Sequence, residues 1–209
     1  MRPLPRNSRQ TIPRPRIETL SDLVFGLALS IGALTLIGKP PSTPADIRGD
    51  VLYFAFSFLL LISVWLRYTR IMSALPVDTG TTVLLNIALL FLVSVEPYLF
   101  SIVNASETFV LFDYASVLYA VDLAGLVVIL GLFTHMLTTE ERRLIPASKL
   151  RQQRRIRNAL FISAFLFLVS TIPQFAAWRL EGTPVRVLFW YLSLVVFLSL
   201  RVPKIWNGK

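Results

Sequence analysis

The strongest constraint on the fold of this chain is a series of six apolar runs, each of a length close to the ~20 residues that an α-helix needs to cross a bilayer. Segments rich in proline, glycine and small polar residues separate them, for example 38–44 and 181–184. We predict an all-α integral membrane protein with six transmembrane helices per subunit, over roughly Leu20–Ile37, Val51–Leu66, Thr82–Val103, Tyr114–Leu137, Ala159–Trp178 and Pro184–Leu200.

The basic residues predict how these helices are oriented. A net charge of +9 is compatible with nucleic-acid binding, but in a membrane protein Lys and Arg more often mark the cytoplasmic side. With the N-terminus inside, 17 of the 21 Lys and Arg residues fall in cytoplasmic segments, and only Lys39, Arg48, Arg179 and Arg186 lie outside. We therefore predict that both termini are cytoplasmic and that nucleic acid is not a partner.

The same pattern divides the chain into three parts. Residues 1–19 combine four prolines with five arginines, which predicts a basic, Pro-rich cytoplasmic arm without a helix. Residues 20–203 form the transmembrane domain, and residues 204–209 form a cytoplasmic tail.

The residue types that most enzymes use for catalysis are scarce in this sequence. It has no cysteine, one histidine (His135), no glycine-rich phosphate loop and no Gly-x-Ser-x-Gly motif. We therefore expect neither an enzyme nor a bound cofactor, and no resident metal site.

Polar residues at the start of the first run predict a structural network. Arg16, Ser21 and Asp22 precede a stretch that stays uncharged to Gly38. One interpretation is a helix cap, in which Ser21 or Asp22 binds the first turn. In the other, these residues meet the polar groups that end the second run and begin the third, namely Trp65, Tyr68 and Asn86. Such a network would hold helix 1 against helices 2 and 3.

These motifs resemble the transmembrane protein 175 family of potassium channels, including its prokaryotic members. That family opens helix 1 with an arginine, three residues and Phe-Ser-Asp, and the segment Arg16 to Asp22 matches except for Leu20. Further matches are Ser57, Phe58, Trp65, Asn86 and the pair Pro97-Tyr98. Tyr68 departs from the pattern, because the family has a histidine there.

The resemblance implies a homotetrameric, K⁺-permeable channel in the cell membrane of a prokaryote, with helix 1 lining a central pore. It also implies the absence of a Thr-Val-Gly-Tyr-Gly filter, and the sequence contains none. Spacing places Leu23, Leu27, Ile31 and Leu34 on one face of helix 1, which by itself is more typical of ordinary helix packing than of a pore lining. On the resemblance, Leu27, Ile31 and Leu34 form hydrophobic constrictions, with Leu23 and Ser30 also lining the pore.

Two alternatives follow from other residues. Asp122 lies near the middle of the fourth run and Glu96 in the outer part of the third, so a proton-coupled transporter of ions or small solutes is the second candidate. We nevertheless expect Asp122 to be a hydrogen-bonded packing residue, paired with Tyr119 or a group on helix 5. The third candidate is a non-conducting membrane scaffold, in which the polar cluster and the aliphatic face only order helices.

Overall fold

The computed structural model describes residues 14–34, 43–75, 79–106, 108–139, 147–180 and 183–199. Within these ranges the protein is helical apart from one short antiparallel ribbon, in which Arg179 pairs with Pro184 and Leu180 with Thr183. The elements are α1 (Arg14–Leu34), α2 (Pro44–Met72), α3 (Gly80–Ala105), α4 (Phe109–Thr138), α5 (Ala147–Val169), α6 (Gln174–Ala177), β1 (Arg179–Leu180), β2 (Thr183–Pro184) and α7 (Val185–Ser199).

Four of the described helices have both the length and the composition of a membrane span, namely α1 to α4. The apolar part of α7 is shorter, at Val185–Leu198. In α5 the first half is charged, with Lys149, Arg151 and Arg154 before its apolar residues begin. The all-helical membrane fold is thus confirmed, with four candidate membrane spans in the described part of the chain. The count of six stays a prediction.

Local sequence accounts for most helix boundaries. Thr79 and Thr108 precede α3 and α4, and their hydroxyls accept hydrogen bonds from the backbone N–H groups of Thr82 and Leu111. Pro44 occupies the first position of α2, where a missing N–H costs no helical hydrogen bond.

Several boundaries differ from the prediction, for example those of α2, which begins seven residues before and ends six residues after the predicted bounds. Helix α1 begins at Arg14, six residues earlier than expected, because Pro15 falls in its first turn, where proline is tolerated. The fifth apolar run is not one helix: α5 ends at Val169, a turn follows, and Pro173 precedes the short α6. The rest of the predicted arm, residues 1–13, and the predicted tail, 204–209, lie outside the described residues.

Helix α4 forms the centre of the bundle. Most of its side chains are buried, as expected for a helix that is apolar on all sides. It packs against α3 and α5, while α1 packs on α2 and α3, and α7 packs on α5. Gly131 permits the close approach of α5, because a Cβ atom there would lie 3.0 Å from the ring of Phe161.

Candidate functional site

Helix α1 has two distinct faces. Ser21, Phe25 and Ala28 are buried against the rest of the protomer. The opposite face carries the aliphatic stripe predicted from spacing, with exposed fractions of 64% for Leu23, 57% for Leu27, 42% for Ile31 and 60% for Leu34. The stripe therefore makes little contact within the protomer, and ordinary packing inside one subunit does not explain it.

Ser30 is exposed next to this stripe. Its hydroxyl donates a 2.8 Å hydrogen bond to the carbonyl of Gly26, one turn earlier on the same helix. This bond uses the only hydrogen of the hydroxyl and leaves lone pairs on the oxygen. Ser30 can therefore still accept a hydrogen bond from water or coordinate a cation.

The buried part of the polar cluster is centred on Tyr68. The Tyr68 hydroxyl donates to Oδ1 of Asn86 at 2.7 Å and lies 2.7 Å from Oγ of Ser21. The Tyr68 ring also packs against Phe25 and Phe133, with centroids 5.7 and 6.5 Å apart. One side chain of α2 thus contacts α1, α3 and α4, at the position where the family has a histidine.

The exposed part of the cluster joins α1 to α2. Nε1 of Trp65 donates to Oδ1 of Asp22 at 2.9 Å. Because α1 begins at Arg14, both Ser21 and Asp22 lie well inside the helix, and the capping interpretation is wrong. The structure brings together Ser21, Asp22, Trp65 and Asn86, whereas the side chain of Arg16 lies outside the described residues.

A second polar centre lies deeper in the bundle, between α2, α3 and α4. Glu96 is completely buried, and its Oε1 accepts hydrogen bonds from Ser57 and Tyr119, both at 2.9 Å. Sequence reasoning singled out Glu96 as an intramembrane acid, but it did not identify these donors. The sequence analysis identified Ser57 only through the family resemblance.

Asp122 follows Tyr119 by one helical turn and is 4% exposed. Neither of its carboxylate oxygens accepts a hydrogen bond from the described residues. The expectation that Asp122 pairs with Tyr119 or with helix 5 is therefore wrong, because Tyr119 donates to Glu96 instead.

Two buried arginines were missed, because charge counting assigned them only a side of the membrane. Arg186 in α7 is fully buried and forms a 2.7 Å ion pair with Asp113 at the start of α4. Its guanidinium also donates to Ser116 and to the carbonyls of Ser170 and Thr171 after α5. Arg67 near the end of α2 donates to the carbonyl of Phe197 and lies 4.2 Å above its ring.

Long apolar helices, buried polar centres and an exposed aliphatic face on the first helix define this protein as a multi-pass α-helical membrane protein. Residues 16–97 match the family model described as the endosomal/lysosomal potassium channel TMEM175. Through this segment, which spans α1 and much of α3, the chain is similar to the TMEM175 family, and the resemblance predicted from its motifs is confirmed.

Individual proteins with similar sequence or structure are also potassium channels. A potassium channel from Marivirga tractuosa is 36% identical over 86 residues, which is 40% of this chain and 34% of that relative, so the match spans about a third of the relative's length. The crystal structure of a lysosomal potassium-selective channel TMEM175 homologue from Chamaesiphon minutus superimposes with a TM-score of 0.61 at 17% identity. This comparison covers 90% of this chain and 98% of that one.

A variant of the potassium channel MtTMEM175, crystallised with a nanobody–MBP fusion protein, also has a TM-score of 0.61, at 19% identity. Here the coverage is 93% of this chain and 95% of that one. The fold is therefore shared well beyond the segment in which sequence similarity is detectable.

Proposed function

We propose that this protein is a potassium-permeable cation channel, in which α1 of four identical subunits lines a central pore. The observation that carries the proposal is the exposed aliphatic stripe of α1, on a helix whose other face is packed against α2 and α3. Helix α3 has a similar exposed apolar stripe, of Leu84, Ile87 and Phe91, which lipid contact would explain, so we assign the pore to α1 on its similarity to the potassium-channel family. Around a symmetry axis, the α1 stripes of four subunits would face one another and form rings.

Rings of aliphatic side chains can close a pore without a moving lid. Where Leu27, Ile31 and Leu34 approach the axis, the gap would be too narrow and too apolar to hold water, so an ion would have to enter it without its hydration shell. A small outward movement of α1 would wet the gap. These three residues are our proposed constrictions.

Selectivity requires oxygen atoms, which leucine and isoleucine lack. Ser30 lies beside the stripe with its hydroxyl oxygen available for coordination. A ring of four such oxygens, with Leu23 lining the path nearer the start of α1, would contact a partly dehydrated cation. We assign Ser30 this role, in place of the carbonyl filter that the sequence lacks.

The polar cluster would fix the position of α1 relative to α2 and α3. It consists of Ser21, Asp22, Trp65, Tyr68 and Asn86. It ties the first half of α1 to α2 and α3 through side-chain hydrogen bonds of 2.7 to 2.9 Å. A helix that forms a narrow constriction must be positioned within a fraction of an ångström. We therefore propose a structural role for the cluster, next to the path and not in it.

The proposed topology has six membrane-crossing helices and both termini in the cytoplasm. In this topology α5 and α7 complete the bundle as shorter or partly charged spans. The basic first half of α5 then lies on the cytoplasmic side, as the distribution of Lys and Arg predicts. The working assembly would be a homotetramer in a bilayer.

Ion flux into liposomes tests the channel function. Purified protein should dissipate a potassium gradient at a rate that does not saturate with the gradient. Saturable, proton-coupled uptake would instead support a transporter, the second candidate, which the burial of Glu96 and Asp122 favours. No flux from assembled protein would support a scaffold.

The substitution Ile31→Asn tests the lining. One amide per subunit in the gap should hydrate it and raise the resting potassium flux, and each ~1.4 kcal/mol removed from the barrier gives a tenfold increase. Val24→Asn and Leu29→Asn are matched controls, because both side chains pack against the core instead of the stripe. Equal leak from all three variants, or none from assembled Ile31→Asn protein, would exclude α1 as the lining.

A further inference from the structure

Two carboxylates inside the bundle are not part of the proposed α1 pathway. Glu96 and Asp122 are buried at the contact of α3 with α4, where Tyr119, one helical turn before Asp122, donates a hydrogen bond to Glu96. Oε2 of Glu96 and both carboxylate oxygens of Asp122 have no hydrogen-bond donor among the described residues. Native proteins seldom leave three such oxygens unpartnered, because each has lost its hydration.

Among the described residues, no basic side chain balances this pair. The guanidinium of Arg186 is bound to Asp113 and Ser116, which lie nine and six residues before Asp122 and therefore about 14 and 9 Å away along α4. That of Arg67 is bound at Phe197, and Arg67 lies ten residues, or about 15 Å, beyond Ser57 on α2. The groups that do face the carboxylates are Ser57 and Tyr119, with Tyr191 behind Tyr119. All three are uncharged at neutral pH.

We propose that Glu96 and Asp122 bind a small, singly charged cation through their free oxygens. The cation is either a proton or an alkali metal ion, and both satisfy the same need for one positive charge between two buried carboxylates. In the described ranges no third His, Asp or Glu joins the pair, so the site lacks the ligands of a divalent or transition metal.

Helix α3 also contains a backbone carbonyl that lacks its i+4 N–H donor, one turn before Glu96. Pro97 follows Glu96 directly and has no N–H, so it cannot donate to the carbonyl of Val93. Val93 and Glu96 are three residues apart, so they share a face of α3. A neutral carbonyl oxygen near two carboxylates is a ligand type that alkali ions favour.

A cavity of about 250 Å³ provides the approach to this site. Phe100 of α3 and Trp190 of α7 line the cavity, and both rings pack on the Tyr119 ring, with centroids 5.6 and 5.1 Å away. Tyr119 therefore separates the cavity from Glu96, to which its hydroxyl is bound.

Thermal unfolding of the purified wild-type protein tests the site without relying on channel activity. The midpoint temperature is measured in sodium, potassium or N-methylglucamine chloride at equal ionic strength, in mildly acidic and mildly alkaline buffer. A bound alkali ion should raise the midpoint in a saturable way in alkaline buffer. A bound proton should raise it in acid whatever salt is present.

In the variant Glu96→Gln/Asp122→Asn, the unfolding temperature should depend less on the cation and on acidity than in the wild type, because neutral amides need no counter-charge. Asp122→Asn alone keeps Glu96 and its two donors, and it should weaken the dependence of the unfolding temperature on cation and acidity. This single variant replaces the double variant if the double variant fails to fold. Asp50→Asn is the matched control near the start of α2 and should behave as wild type. A wild-type midpoint insensitive to both cation and acidity, or a sensitivity in these Glu96 and Asp122 variants equal to that of the wild type, would overturn the proposal.

Discussion

Removing the hydroxyl of Tyr68 should destabilise the protein, although the aromatic ring remains. In Tyr68→Phe the ring keeps its contacts with Phe25 and Phe133. The 2.7 Å hydrogen bond to Asn86 and the 2.7 Å contact with Ser21 are both lost. The substitution therefore isolates the polar contribution of the cluster.

The cost can be worked out bond by bond. A hydrogen bond contributes about 0.5–1.5 kcal/mol net, and a buried group left without its partner costs about 1–3 kcal/mol. Ser21 retains an acceptor, because its hydroxyl lies 2.9 Å from the carbonyl of Ile17. Asn86, which is 5% exposed, loses its donor. We expect Tyr68→Phe to lower the free energy of unfolding by about 2 kcal/mol.

Titration of mixed micelles with dodecyl sulfate, followed by tryptophan fluorescence, measures this difference. Tyr98→Phe is the matched control, since Tyr98 is 65% exposed and should change stability by less than about 0.5 kcal/mol. In a protein that already carries Asn86→Leu, the hydrogen bond between Tyr68 and Asn86 is absent. There Tyr68→Phe should lower the free energy of unfolding by about 1 kcal/mol less than it does in the wild type. Equal stability of Tyr68→Phe and Tyr98→Phe would refute the central role of Tyr68.

Three further changes test other parts of the structure. Asp22→Ala, which removes one exposed bond from Trp65, should cost about 1 kcal/mol in unfolding experiments and leave the ion selectivity of assembled channels unchanged; altered selectivity would make Asp22 a pore residue. Arg186→Met should cost about 3–5 kcal/mol by the same titration, because it leaves Asp113 and several carbonyls unpaired, whereas exposed Arg151→Met should be nearly neutral. In this cysteine-free chain, a cysteine at Ser106 should be labelled from outside intact cells and one at Ser148 should not; the reverse pattern would invert the proposed topology.

The positions of the polar cluster could be read from the sequence, but its connections could not. Depth along the predicted helices brought Ser21, Asp22, Trp65 and Asn86 to one level, because apolar runs of known rise fix the height of each residue. The hydrogen bonds depend on rotation about each helix axis and on side-chain conformation. These are set by packing, which places the Tyr68 hydroxyl between Ser21 and Asn86.

For the buried charged residues, too, the sequence determined the positions and tertiary packing determined the partners. The sequence alone determined that Glu96 and Asp122 lie inside apolar helices and that Arg186 follows a turn. It did not determine which donor each acid receives, because those partners lie 23 to 73 residues away along the chain. Tertiary packing decided that Tyr119 donates to Glu96, that Asp122 has no hydrogen-bond donor among the described residues, and that Arg186 joins the start of α4 to the end of α5.

Hydrophobic patterning alone determined the membrane class, the apolar runs and the stripe on α1, because these depend only on length, composition and the 3.6-residue period. Several helix lengths were predicted wrongly, including those of α2 and α4. The start of α1 depends on whether a first-turn proline is accommodated, and the fifth run contains Pro173 after the end of α5. Only the folded bundle decided that the stripe is the exposed face of α1, because burial of Phe25 and Ala28 against the protomer leaves Leu27 and Ile31 on the outside.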